Sequence, residues 1–313
     1  MRRVRVIDSH TEGEPTRVVI SRAPELAGTT LAEKANDFRL NADGFRSGVV
    51  CEPRGADAVV GALLLPSSNP QNAADVIFFN NVGVLGMCGH GTIGIVRTLQ
   101  HLGKLQPGKL TLGTPVGDVG AQLHEDGRVT VWNVPSYRYR SAVPVQVEGF
   151  GEVVGDIAYG GNWFFATKNY GHELELSNLD ALIRFTSGIR ATLERERIAG
   201  ENGGHIDHIE LFGPPQDPAN NSRNFVLCPG LSYDRSPCGT GLSAKMACLA
   251  AEGALDEGQT WRQESVIGSI FEGSYRRTEG EKILPAITGR AYITADSELL
   301  FDPEDPFVEG IRQ

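Results

Sequence analysis

The chain has 313 residues, with 29 Lys and Arg against 39 Asp and Glu, a net charge of −10. That balance argues against a nucleic-acid or anionic-membrane surface and favours a small-molecule substrate. No apolar run approaches the roughly 20 residues of a transmembrane helix, and Met1-Arg2-Arg3 leads into the alternating Val4-Arg5-Val6 instead of a signal-peptide core, so the expectation is a soluble, cytoplasmic protein.

Val4 to Ile7 and Arg17 to Ile20 read as strands flanking a polar loop, Asp8-Ser9-His10-Thr11-Glu12-Gly13-Glu14-Pro15. A charged surface turn is its expected role, because neither His10 nor the carboxylates have a recognisable partner spacing. Leu31, Ala35, Phe38, Ala42, Phe45 and Val49 step by three or four and predict one amphipathic helix. Ala58 to Leu64 and Val76 to Phe79 read as strands. Met87-Cys88-Gly89-His90-Gly91-Thr92-Ile93-Gly94 then opens a helical run through Ile93, Ile95, Val96, Leu99 and Leu102, closed by Gly103.

Val129 to Val134 and the polar Pro135-to-Pro144 segment read as a crossover between two halves. Leu179 to Arg197 predicts a helix with Leu182, Ile183, Ile189 and Leu193 apolar and Asn178 as its cap. Strands follow at Ile206 to Phe212 and Asn224 to Cys228. A second cysteine helix opens at Pro237-Cys238-Gly239-Thr240-Gly241-Leu242-Ser243-Ala244. Arg290 to Thr294 and Glu298 to Phe301 read as a hairpin, after which Asp302-Pro303-Glu304-Asp305-Pro306 ends regular structure.

The two cysteine helices are one unit used twice. At an offset of 150 residues (238 minus 88), Gly89 meets Gly239, Gly91 meets Gly241, Gly103 meets Gly253 and Leu105 meets Leu255. The register extends upstream, where Asp57-Ala58-Val59 falls on Asp207-His208-Ile209 and Val76-Ile77 on Val226-Leu227. Each half, near the commonest domain size of about 100–150 residues, reads strand, strand, helix, strands, central helix, strands.

Five cysteines without a C-x-x-C pair fit reduced thiols better than a disulfide framework. Cys51, Cys228 and Cys248 are expected to be small buried hydrophobes. Cys88 and Cys238 each sit at a helix N-terminus, where N–H groups and the helix dipole favour thiolate over thiol. Two such thiols facing each other across a cleft suit the inversion of a carbon that bears an acidic proton, with a base on one face and an acid on the other. The N–H groups of Gly89, His90, Gly239 and Thr240 would hold a substrate carboxylate and stabilise the carbanionic transition state, with no cofactor required.

Other readings compete. Phosphate binding lacks a G-x-x-x-x-G-K-[ST] or G-x-G-x-x-G run. A metal site built from Cys88, His90, His205 and His208 lacks paired-ligand spacing, and residues three apart on a strand point to opposite faces, so no metal is expected. A thiol-redox or amino-acid-binding protein without turnover is the alternative of a different class.

Met-Cys-Gly-His at 87 to 90 and Asp-Arg-Ser-Pro-Cys-Gly-Thr-Gly at 234 to 241 resemble the two signature motifs of the proline racemase family. The similarity runs from Asp8-Ser9-His10-Thr11-Glu12-Gly13-Glu14-Pro15 through Glu52-Pro53-Arg54-Gly55 and Tyr159-Gly160-Gly161-Asn162 to the last strands. The resemblance implies an α/β (α+β) fold of the diaminopimelate-epimerase-like kind: two pseudo-symmetric domains, each a mixed sheet wrapped around a central helix, with the site between them. The corresponding domains here are 1–135, with strands near 295–313 as candidates to return to it, and 136–294.

The resemblance further implies that Cys88 and Cys238 are the acid and base. His90 and Asp234 match positions that contact the imino group, Gly89, Gly239 and Thr240 match those that hold the carboxylate, and His208 falls near another substrate-facing position. His90-Gly91-Thr92-Ile93-Gly94 is similar to the branch that converts trans-4-hydroxy-L-proline to cis-4-hydroxy-D-proline. Racemisation of proline is the alternative, and Cys88 argues against the trans-3-hydroxyproline dehydratase branch, which carries serine or threonine there. Leu242 departs from the threonine often found at its position. The implied partner is a small imino acid, not nucleic acid or membrane, and a homodimer stays open as the assembly.

Overall fold

A computed structural model describes residues 1–168, 171, 173–278 and 280–312. The chain forms two compact units, one of Met1–Val131 with Arg290–Gln313 and the other of Trp132–Gly289.

The first unit contains β1 (Arg2–Thr11), β2 (Glu14–Val19), α1 (Leu31–Asn41), α2 (Asp43–Val50), β3 (Val60–Leu65), β4 (Ala74–Phe79), β5 (Val84–Leu85), α3 (Gly89–His101), β6 (Gly108–Thr114), β7 (Gly117–Leu123) and β8 (Val129–Trp132). The second contains β9 (Tyr137–Val147), β10 (Gly151–Tyr159), β11 (Trp163–Lys168), α4 (Leu179–Glu196), β12 (Ile206–Gly213), β13 (Ser222–Leu227), α5 (Gly239–Glu252), β14 (Trp261–Glu264), β15 (Ile270–Arg277) and β16 (Ile283–Gly289). The last strand, β17 (Ala291–Phe301), returns to the first unit and pairs antiparallel with β1.

Strand pairing repeats between the units. From β17 through β1, β2, β3, β4, β6, β7 to β8 the pairs run antiparallel, antiparallel, parallel, antiparallel, parallel, antiparallel, antiparallel. From β9 through β10, β11, β12, β13, β14, β15 to β16 the series is the same. Even the short β5, antiparallel to β4, has a counterpart in the single bridge between Leu227 and Tyr233. Without β17 the first unit would lack the strand that β9 supplies to the second.

In each unit one helix is buried along most of its length. Ile93, Ile95, Val96 and Leu99 of α3 are buried, and the helix packs on β1, β2, β3, β7 and β17. In α5, Leu242, Ala244, Met246, Ala247, Cys248 and Leu249 are buried against β9, β10, β11, β15 and β16. The other helices cover outer faces. Phe38 and Val49 of α1 and α2 join Val4, Val6, Leu63, Ile77, Phe79 and Phe301, while Leu182, Phe185, Ile189 and Leu193 of α4 join Val145, Ile157, Phe165, Ile209 and Phe225. Fully burying each such side chain contributes about 1.5–3 kcal/mol. Both central helices end alike: Gly103 and Gly253 have φ of 68° and 67°, and Lys104 N–H and Ala254 N–H each reach back to the carbonyl five residues earlier, at 2.9 Å.

Several expectations need correction. The polar stretch Asp8–Pro15 is not a loop but the facing ends of β1 and β2, with only Glu12 and Gly13 at positive φ in the turn. Ser9, Thr11, Glu14 and Thr16 are buried strand residues whose polarity hides the strand from a hydropathy reading. The run from Leu31 to Val49 is two helices, divided at Ala42. Asn178 stands at the start of α4 without capping it, its amide donating instead to the Glu173 carbonyl at 3.0 Å. The chain passes from the first unit to the second between Val131 and Trp132, inside the expected crossover, but most of Pro135 to Pro144 belongs to β9, a strand whose residues Tyr139 to Ala142 are exposed. Residues 291–301 form one strand with a register shift opposite Asp8 and Ser9, not a hairpin. Among the described residues no helix is long and apolar enough to cross a membrane.

Candidate active site

In the first unit the chain enters α3 through Cys88, which stands as its N-cap with φ −143° and ψ 116°. The sulfur takes the place that a serine or aspartate oxygen takes at other helix starts: the Gly91 N–H donates to Cys88 Sγ at 3.4 Å, and Thr92 N–H to the Cys88 carbonyl at 2.9 Å. His90 folds back so that Nδ1 lies 3.4 Å from the same sulfur. Its backbone carbonyl accepts the Thr11 hydroxyl at 2.8 Å, which ties the turn to the end of β1. A β-carbon on Gly91 would stand 2.8 Å from the Phe78 ring and 3.1 Å from Cys88 Sγ, so glycine is required for the helix to sit this close to β4.

The second unit builds the same corner with different supports. Leu242 N–H donates to the Cys238 carbonyl at 2.8 Å, while the Cys238 side chain, unlike that of Cys88, makes no capping hydrogen bond to the helix. Cys238 itself has φ 58°, a left-handed conformation that a non-glycine residue holds only when its surroundings impose it. Those surroundings are polar. Cys238 N–H donates to Ser236 Oγ at 3.2 Å, and the Ser236 hydroxyl and amide both donate to Asp234 Oδ1 at 2.8 Å. Asp234 is therefore the anchor of the turn. Thr240 Oγ1 lies 3.6 Å from Cys238 Sγ and accepts the Asn162 amide at 3.3 Å.

Three further contacts fix the first turn of α5. Asn133 donates to the Gly160 carbonyl at 2.7 Å and to Ser243 Oγ at 2.8 Å, and Ser243 donates to the Gly239 carbonyl at 2.8 Å. A β-carbon on Gly160 would fall 2.1 Å from the Thr240 carbonyl oxygen. His208 on β12 is buried, tilts over Phe164 at 4.7 Å between ring centroids and pairs with Asp207 at 2.6 Å. Phe164 shares an apolar cluster with Cys238.

The structure thus gathers Cys88, Gly89 and His90 at one helix start, and Asp234, Cys238, Gly239 and Thr240 at the other. The first-turn N–H groups of a helix lack acceptors within it, and neither helix carries an acidic residue in its first turn. Both starts therefore suit an anion such as a carboxylate. The expectation that dipole placement leaves both thiols acidic fails for Cys238: burial, together with nearby Asp234 and Glu210, pushes that thiol well above its ordinary range. Among the described residues no group of three or more His, Cys, Asp and Glu side chains is placed to hold a metal. His205, exposed before β12 begins, lies 3.6 Å from Glu194 instead.

Thr11, Asn133, Ser236 and Glu210 escaped the sequence reading. Ser236 alone had a local signal, lying two residues from both Asp234 and Cys238; Thr11 and Asn133 act across 79 and 110 residues of sequence. Cys51 and Cys248 are buried as expected, and Cys228 is half-buried.

Comparison with known proteins agrees with this architecture. The family described as proline racemase matches residues 6–312. The 4-hydroxyproline 2-epimerase of Chromohalobacter salexigens is 58% identical over 99% of each chain, and that of Pseudomonas aeruginosa 55% identical over the whole of both. A hydroxyproline epimerase from Agrobacterium vitis, solved with bound trans-4-hydroxy-L-proline, superposes with a TM-score of 0.87 at 26% identity, covering 99% of this chain and 95% of that one. A Bacillus anthracis phenazine biosynthesis protein of the PhzF family, 16% identical over 96% of this chain and all of its own, shares the fold with a TM-score of 0.66. The architecture is α+β, of the diaminopimelate-epimerase-like kind, and the chain belongs to the proline racemase family.

Proposed function

We propose that the protein is an isomerase that epimerises trans-4-hydroxy-L-proline at Cα to cis-4-hydroxy-D-proline, with Cys88 and Cys238 as the two proton-transfer groups. One observation carries the reading. The two thiols occupy matching places in units built by one strand series, each immediately before the first turn of a buried central helix whose fourth amide donates to the cysteine's own carbonyl. The identity of 53–58% to 4-hydroxyproline 2-epimerases over nearly the full chain supports the substrate.

A thiolate at one cysteine removes the Cα proton, leaving a carbanion whose charge spreads onto the substrate carboxylate. The thiol at the other cysteine then delivers its proton to the opposite face and becomes the thiolate. The amides of Gly89, His90, Gly239 and Thr240 hold the carboxylate as charge builds on it. His90 and Asp234 face the ring nitrogen, and His208 completes the substrate contacts. Burial keeps Cys238 protonated, which suits it to be the acid in the form that meets the substrate first.

A hydroxyl offers about one hydrogen bond of discrimination, so weak turnover of proline accompanies the main reaction. Chiral chromatography with trans-4-hydroxy-L-proline, L-proline and trans-3-hydroxy-L-proline at equal concentration tests the assignment. The specificity constant should be highest for the first, and a higher one for proline would make the protein a proline racemase.

A further inference from the structure

Glu210 lies within the apolar β12, and no part of it is exposed. Strand alternation turns Ile209 and Leu211 toward α4 and His208, Glu210 and Phe212 toward α5. Its carboxyl lies directly under the first turn of α5: a β-carbon on Gly241 would stand 2.6 Å from Oε2. Glu210 Oε1 accepts the Asn224 amide at 2.7 Å, and that same amide nitrogen donates to the Pro237 carbonyl at 2.8 Å, one residue before Cys238. Oε2 has no hydrogen-bond partner among the described residues. The corresponding floor under Gly91 in the first unit is the Phe78 ring.

We propose that Glu210 is a positioning residue for Cys238: as a neutral acid it lets Cys238 exchange its proton, and as a carboxylate it holds Cys238 in the thiol form. This inference rests on Cys238 being a proton-transfer group. The groups that face Glu210 are Asp234 from the loop after β13, Cys238 and Lys245 from α5 and its cap, and His208 two residues along β12. Its cross-strand neighbours, Ala166 and Val226, do not titrate. Lys245 offsets burial only in part, with its ammonium 4.0 Å over the Phe212 ring, and Asp234 adds to the effect of burial. The carboxyl is accordingly pushed up to about 8 and is mostly neutral at pH 7. Above that pH its charge opposes a thiolate at Cys238.

Peptide-resolved alkylation of Cys238 and Cys88 with iodoacetamide, from pH 6 to 10.5, reads this coupling directly. In Glu210→Gln the Cys238 thiolate should appear about one pH unit lower, raising its labelling rate at alkaline pH about tenfold relative to wild type, while the Cys88 profile stays unchanged. The alkaline limb of kcat/KM should move with it. In the wild-type protein the Cys238 curve should be broader than a single titration, because two coupled groups share it. Identical Cys238 profiles in the two proteins overturn the proposal. So does a single-proton Cys238 curve in the wild type, which decides the matter even if the variant does not fold. Labelling is independent of turnover, so a Cys238→Ser protein that kept its activity would sink the two-thiol function without altering this result.

Discussion

Glu210 Oε2 and Gly241 approach so closely that a single methyl on the glycine would come within 2.6 Å of the carboxyl oxygen. The carboxyl is enclosed on all sides and cannot swing away as a surface side chain would. Gly241→Ala should therefore push the first turn of α5 off its seat, costing about 1–3 kcal/mol of stability and a larger share of kcat/KM. Gly253, at the other end of the helix, has open space beside it but a φ of +67°. Gly253→Ala should lose about 1 kcal/mol and keep its activity. Urea unfolding and steady-state kinetics on both variants separate the two effects.

Removing the Thr11 hydroxyl should loosen the Cys88 corner from the far side. Its hydrogen bond to the His90 carbonyl is buried, and Thr11→Val keeps the side-chain shape while leaving that carbonyl without this donor. The expected loss is about 1–3 kcal/mol, with a fall in kcat/KM that Thr11→Ser restores. Equal activity of the valine and serine variants would show that the bond does not position His90.

Stability should fall as pH rises from 4.5 toward 8. A carboxyl near 4.5 in the unfolded chain and about 8 when folded binds more protons in the native state across that window. Its contribution is complete below 4.5 and lost as pH passes the folded value. At about 1.4 kcal/mol per unit the full effect is on the order of 5 kcal/mol. Glu210→Gln should flatten this slope, and urea midpoints measured from pH 5 to 9 for both proteins check it.

Proton transfer by thiols alone predicts that exhaustive dialysis against a metal chelator leaves the rate unchanged. Iodoacetamide should abolish activity, and substrate should slow that loss. Activity that falls on chelation and returns with a divalent metal would contradict the proposed chemistry.

The helices were legible wherever apolar spacing was backed by a chemical stop, as at Gly103 and Gly253, whose positive φ ends each central helix. The 150-residue repeat was legible because glycine is obligatory where the helix meets the sheet: Gly91 against Phe78, Gly241 against Glu210. What stayed hidden was polar and buried. Ser9, Thr11 and Thr16 face α3 from β1 and β2, so their strand ends read as a loop. Glu210 carried no signal within the strand expected at Ile206 to Phe212, where Ile209, Glu210 and Leu211 are all buried because β12 has α4 on one face and α5 on the other. Local periodicity cannot report a second covered face. Nor can it anticipate that burial beside two carboxyl groups outweighs a helix dipole at Cys238.

Conversion of trans-4-hydroxy-L-proline in heavy water by wild type, Cys88→Ser and Cys238→Ser tests the two-thiol reading most directly. Chiral separation with mass detection should find cis-4-hydroxy-D-proline bearing one deuterium at Cα with the wild-type protein. Each variant, with an unchanged circular dichroism spectrum, should be slower by about 10²–10⁴-fold, the typical worth of one positioned proton-transfer group. Product without deuterium, or a folded single variant that keeps the wild-type rate, would contradict it.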